Sequence, residues 1–204
     1  MLLSTAYLPP VQYFCLLQQA QQAQIEACEH FAKQTYRSRC HILAANGVQI
    51  LSVPIQKMHH QKMLIRDVQI DYSTHWQHQH WRALQAAYNA SPFFLHYADD
   101  LRPFFEQPTK FLWDFNLQLL QKIMAWIPLS TPIAPTASFQ QEAANDFRYT
   151  ISPKCADNEH ASTCCCYYQV FASRWGFVPN LSIVDLLFNE GNNAISVLQQ
   201  SLPH

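Results

Sequence analysis

Only three glycines occur in 204 residues, and their positions exclude whole classes of function. Gly47 follows Asn46 at a hairpin turn, while Gly176 and Gly191 stand where helices are expected to end. None is left to build a phosphate-cradling Walker loop or a dinucleotide-binding turn, so a conventional NTPase or nicotinamide dehydrogenase is excluded. The nucleophile elbow of common serine hydrolases fails for the same reason. Charge is scarce as well: 13% of residues are charged, against roughly a quarter in an average soluble domain. A formal net charge of -1 supplies no basic field, so nucleic acid is not an expected partner. No apolar run approaches the roughly 18 residues that a membrane span needs. Met1 to Pro10 lacks a basic leading segment and is interrupted by Pro9-Pro10, which does not read as a signal peptide. Seven cysteines, an odd number, then read as reduced thiols, and a cytoplasmic location is expected.

What is present is apolar. Hydrophobic residues make up 49% and aromatics 13%, enough for one substantial core, and no long linker divides the chain, so residues 1–204 read as a single domain. The expected fold class is α/β: an N-terminal mixed sheet with a β-hairpin, then a mainly helical C-terminal half. Leu2 to Tyr7 reads as a buried strand, and the prolines behind it start a helix carrying Val11, Phe14, Cys15 and Leu17. Ile25 to Phe31 reads as a second strand. Asn46-Gly47, flanked by apolar and β-branched residues, predicts a hairpin over Arg37 to Ile55. Met63 to Ile70 alternates well enough for a further half-buried strand. Trp76, His80, Ala83, Leu84 and Ala87 share one helical face, with Ser73 or Thr74 placed to cap it. A second helix from Phe93 is expected to kink or break at Pro103. A third, Lys110 to Ile127, has a wide apolar face that requires packing on more than one side. Pro128 to Thr163 reads as a surface excursion with one short strand near Phe147 to Ile151. Tyr167 to Ala172 and Leu181 to Leu198 return to helix.

Arg37 and Arg39 form the densest polar cluster, with Gln34, Tyr36 and His41 beside them. On a strand, residues two apart share a face, so the pair can grip a carboxylate, phosphate or sulfate in forked geometry. Alternatively, one of them pairs with Glu29 or Asp67 to hold neighbouring strands together. His80, between Trp76 and Leu84, can act as a general base if a carboxylate orients it; a core histidine satisfied by a backbone carbonyl is the ordinary alternative. His78 and His80 diverge on a helix and do not form a metal pair. His59 and His60 lie in a polar loop. Cys164-Cys165-Cys166, with Cys155 and His160 upstream, lacks the two-residue gap of zinc-binding cysteines, so neither a metal nor another cofactor is expected. Cys40 is a nucleophile candidate, because two neighbouring arginines would lower its pKa.

These segments together carry a family resemblance. Tyr7-Leu8-Pro9-Pro10-Val11-Gln12-Tyr13-Phe14, Gln34 to Cys40 with Asn46-Gly47 behind it, Ile65-Arg66-Asp67-Val68, Trp76 to Trp81, Ala87 to Phe94 and Gly176 to Asn189 resemble the WbqC-like family. The likeness covers most of the chain except about Thr131 to Thr163. It implies a part in making or decorating O-antigen or a related bacterial surface glycan. The motif residues it carries over are Gln12, Tyr13, Arg37, Arg39, Asp67, His80 and Trp81. Cys40 stands where the wider family tends to have Asn. The expected function is a transferase that adds an acyl or aminoacyl group to an activated amino sugar. In it, Arg37 and Arg39 hold the anionic part of a sugar or sugar-nucleotide substrate, and His80 assisted by Asp67 takes a proton. Gln12 joins the substrate-binding residues, and Tyr13 and Trp81 form a stacking wall. The competing expectations are a non-catalytic binding or assembly protein of a glycan pathway and a cysteine-dependent hydrolase, the latter requiring Cys40 to be partly exposed and close to a histidine.

Overall fold

The computed structural model describes residues 1–57, 62–153 and 165–201. The chain opens as β1 (Leu2–Ser4), passes through α1 (Val11–Gln19) and returns as β2 (Ala23–Glu26) parallel to β1, with Leu3 opposite Ile25. Leu2, Leu3 and Ile25 are all buried, as expected for strands covered on both faces. A third parallel strand, β5 (Ile133–Pro135), pairs with β2. It comes from the Pro-rich stretch read as a surface excursion, and three residues ending in proline leave too short a pattern to read. On the other side of β1, the Leu2 N–H donates to the Asn145 carbonyl (2.8 Å) and the Phe147 N–H to the Leu2 carbonyl (2.9 Å). The strand expected near Phe147 to Ile151 is therefore only a single bridge at Asp146.

The hairpin is a second, separate sheet. Strands β3 (Arg39–Ala44) and β4 (Gly47–Ser52) pair antiparallel, from Arg39 opposite Ser52 to Ala44 opposite Gly47. The two turn residues are Ala45 and Asn46, one position earlier than expected. Gly47 takes the left-handed conformation (φ 103°) just after them, so only the glycine carries the positive φ that the turn demands. The paired strand starts at Arg39, and Thr35 to Ser38 belong to a turn. Strand alternation consequently does not put Arg37 on the face of Arg39.

Met63 to Ile70 is not a strand. Ile65–Asp67 forms a single 3-10 turn, tied by isolated bridges from Leu64 to His30, Gln69 to Phe111 and Ile70 to Ile55. The buried residues are Ile65, Val68 and Ile70; the 3-10 turn brings the first two onto one side, three residues apart.

Helix α2 (Trp76–Tyr88) buries Trp76, His80, Leu84 and Ala87 as expected. Its N-cap is His75, without a side-chain cap, so neither Ser73 nor Thr74 takes that role. Helix α3 (Phe94–Leu101) ends at a 3-10 turn, Arg102–Phe105, that contains Pro103. Helix α4 (Leu112–Trp126) buries Leu112, Trp113, Phe115, Asn116, Leu119, Leu120 and Ile123, and so packs on more than one side. Past the second undescribed segment, helix is delayed. Tyr167 and Gln169 are buried while Tyr168 is exposed, an extended alternation, and only Ala172–Trp175 turn helical as α5. Helices α6 (Ile183–Glu190) and α7 (Ala194–Gln200) finish the core. Among the described residues no helix is long and apolar enough to cross a membrane.

Candidate functional site

Open parallel sheets present ligands with a crevice outside the carboxyl ends of their strands. Here that edge carries a concentration of charge that a chain with few charged residues does not place by accident. Glu26 ends β2 and is fully buried. Its Oε1 accepts from the Thr136 hydroxyl (2.6 Å) and the Cys28 N–H (2.9 Å), and its Oε2 from Arg148 Nη1 (3.1 Å). Arg148 also forks onto Asp146, Nε to Oδ1 at 2.9 Å and Nη2 to Oδ2 at 2.6 Å.

Beside this group lies a second buried pair. Arg37 Nε donates to Glu29 Oε1 (2.8 Å), Nη2 donates to Glu29 Oε2, and Nη2 also reaches Ser4 Oγ (2.7 Å) at the end of β1. Burial pushes the Glu29 carboxyl above the usual carboxylate range, although the Arg37 and Ser4 hydrogen bonds pull the other way. Arg37 is therefore a fastener between the hairpin entry and the parallel sheet, the alternative weighed for one of the two arginines. Ser4, Tyr13, Tyr36, Arg37 and Arg148 line a small pocket over this layer.

Arg39 is different. It is half-buried, its Nε is shut off from water, and it has no carboxylate or other hydrogen-bond partner among the described residues. Two residues on along β3, His41 shares that face and also has a buried, unpartnered ring nitrogen, Nε2. Burial first, and the Arg39 charge second, hold the His41 imidazole below its ordinary pKa, so it is neutral near pH 7. Tyr36 packs edge-on against His41 with centroids 5.5 Å apart, and burial pushes its phenol up to about 12.

The backbone around these side chains is over-determined. Tyr7 N–H donates to the Tyr36 carbonyl (2.8 Å), Ser182 N–H to the His41 carbonyl (2.8 Å), and Ser182 Oγ to the Leu8 carbonyl (2.9 Å). Leu8 is fully buried at φ 41° ahead of Pro9, and Asn180 sits at φ 53°. Such conformations persist only where their surroundings hold them, and they collect at functional sites. Asn180 Oδ1 accepts the Gln12 N–H (3.0 Å) at the start of α1, and its Nδ2 donates to Gln12 Oε1 (3.2 Å). The β1–α1 loop, the hairpin entry and the loop before α6 thus meet at one place.

The other expected site residues are distributed as follows. Tyr13 lines the small pocket, with its hydroxyl donating to the Ser4 carbonyl (3.0 Å). Gln12 is engaged by Asn180. His80 is buried: the Tyr7 hydroxyl meets Nδ1 at 2.9 Å, and burial lowers its pKa to about 4, although the Ser52 backbone pulls the other way. Asp67 is exposed on its 3-10 turn and shares no hydrogen bond with His80 among the described residues. Trp81 is half-buried against Phe94 and Phe105, in a separate cleft. Cys40 is fully buried, and burial pushes its thiol far up. The exposure that a cysteine-dependent hydrolase requires is not met. His59, His60, Cys155, His160 and Cys164 lie outside the described residues. Sequence reasoning missed Glu26, Asp146, Arg148 and Asn180; for the first three the available signal was charge in a chain short of it, and for Asn180, uncharged, there was none of that kind.

The sequence matches the WbqC-like protein family over residues 5–165. The chain belongs to that family. It is also similar to a protein of Mycobacterium tuberculosis (strain ATCC 25618 / H37Rv) named "Uncharacterized protein Rv1507c", with 31% identity covering 95% of this chain and 94% of the relative. No solved structure matches. The family's matched span contains α1, β2, the hairpin and both buried ion-pair groups, while β1 with Ser4 precedes it and the loop carrying Asn180 and Ser182 follows it.

Proposed function

We propose that this WbqC-like protein is a cytoplasmic transferase of bacterial surface-polysaccharide assembly, moving an acyl or aminoacyl group onto an activated amino sugar. The observation that carries this reading is Arg39, a half-buried guanidinium with no acidic partner among the described residues. A half-buried cation without a counter-ion is a feature an anionic ligand completes, and arginine matches phosphate or carboxylate through two parallel hydrogen bonds. Arg39 holds the anionic part of the sugar nucleotide, and Tyr36 walls the site. His41, neutral near pH 7, accepts the proton that the attacking amine gives up as its nitrogen bonds to the donor's carbonyl carbon and the donor's leaving group departs. His80 and Asp67 do not enter this step, since the His80 ring is already engaged within the core and Asp67 faces solvent.

The test is thermal shift with sulfate and with sugar nucleotides on wild type and Arg39→Lys. Ligand raises the melting point of wild type by mass action, and Arg39→Lys, which keeps charge but loses the fork, shows at most a small part of that rise. An equal rise in both proteins removes Arg39 from the site. A non-catalytic assembly role has one observation in its favour: Val48 and Ile50 stand half-exposed on β4. It is the better reading if sugar nucleotides bind through Arg39 but no acyl donor yields product.

A further inference from the structure

We propose that a second binding site, for a neutral saccharide, occupies the cleft between α2 and the α3–Pro103 turn, apart from Arg39 and independent of the transferase reading. Trp81, Arg82 and Gln85 line it from α2 and Asn89 from the cap that ends it, with Asp99 and Arg102 on the α3 side. Trp81 is half-buried, backed by Phe94 and Phe105 at centroid distances of 6.0 and 5.7 Å. This packing fixes the indole as a rigid platform. Its N–H has no acceptor among the described residues, and unlike the similarly unpartnered N–H of Trp76, which is buried in the core, it belongs to a side chain lining an open cleft. The side chains of Arg82, Gln85, Asn89 and Asp99 likewise make no hydrogen bond to protein among the described residues, so their donors and acceptors are free to meet a ligand.

The charges select the kind of ligand. Arg82 and Asp99 oppose one another, and Arg102 is already paired with Glu106. The cleft therefore favours neither an anion nor a cation. Planar amide, carboxylate and guanidinium groups around an indole match a molecule with one apolar C–H face and a rim of hydroxyls, each of which both donates and accepts. A sugar ring has that chemistry; a hydrophobic peptide would leave the free amides and charges unsatisfied.

The test titrates maltose and chitobiose into the full chain, followed by tryptophan fluorescence and by amide chemical shifts. Saturable changes with a Kd of about 1–10 mM are expected for at least one disaccharide, with the shifted amides confined to α2 and its cap, α3 and the Pro103 turn. Trp81→Ala should weaken binding at least about tenfold. Because that change also removes packing against Phe94 and Phe105, Gln85→Ala and Asn89→Ala, which leave the core untouched, should each weaken it measurably too. Arg39→Lys should leave saccharide binding unchanged, so the cleft and the anion site fail or stand separately. Absence of saturation with both sugars overturns the proposal, as does binding that survives all three cleft variants or is competed by sulfate. So does a dimer in sedimentation that Leu95→Asp dissolves, since Leu95, 77% exposed on the lip of the cleft, would then belong to a contact between two copies.

Discussion

Replacing Arg37 by methionine separates the two arginines most sharply. Arg37 is 5% exposed and Glu29 2%, and the guanidinium supplies both carboxylate oxygens of Glu29 with donors while also reaching Ser4. Arg37→Met leaves that carboxylate buried without its counter-charge, a change that costs about 3–5 kcal/mol when one partner of a buried pair is removed. For a chain of this size each kcal/mol moves the melting point by roughly 2–4 °C, so a fall of about 6–20 °C is expected. The deficit should shrink as pH is lowered, because burial already raises the Glu29 pKa and a protonated Glu29 no longer needs the cation. Adding Glu29→Gln to Arg37→Met should recover part of the loss, since the two positions act as one unit. Arg39→Lys should stay within about 1 kcal/mol of wild type, having no partner to abandon. Calorimetry on the four proteins at two pH values is sufficient. If Arg37→Met melts within about 2 °C of wild type, or if Arg39→Lys falls as far without ligand, the division into fastener and free cation is wrong.

Two buried groups should tilt the pH profile of stability in opposite directions. Burial raises Asp185 to about 6 despite hydrogen bonds from Tyr167, Tyr88 and Gln169, so its favourable contribution is full at low pH and is lost as pH rises through about 6. His80, lowered to about 4, contributes fully above its ordinary 6.5 and loses that contribution as pH falls through about 4. Asp185→Asn should therefore make urea-measured stability climb more steeply with pH across that window and His80→Gln less steeply; parallel profiles for the two variants would refute the assignments. Cys40, buried with its thiol pushed up, should resist alkylation in the native protein under conditions where exposed Cys166 is modified, as mapped by mass spectrometry. Comparable labelling of both would revive the cysteine-dependent reading.

Features that depend on near neighbours were legible in the order of residues alone. The hairpin was legible because Asn46-Gly47 interrupts an apolar run, and α2 and α4 because their apolar residues recur every three or four positions. Scarce glycine excluded the phosphate-loop classes, and contiguous motifs pointed to the family that residues 5–165 match. Tertiary structure decided what depends on distant partners. β5 joins β2 although more than a hundred residues separate them, and three residues ending in Pro135 carry no readable alternation. Ile65–Asp67 forms a 3-10 turn because single bridges to Ile55, His30 and Phe111 on three sides take its flanking backbone groups. The arginines illustrate the limit most clearly. They are identical in charge and two residues apart, yet Arg37 turns inward to Glu29 while Arg39 keeps no partner among the described residues. Which guanidinium becomes a fastener depends on which one folding removes from water beside a carboxylate. That pairing energy arises only when β1, β2 and the hairpin entry have come together, so no local pattern encodes it.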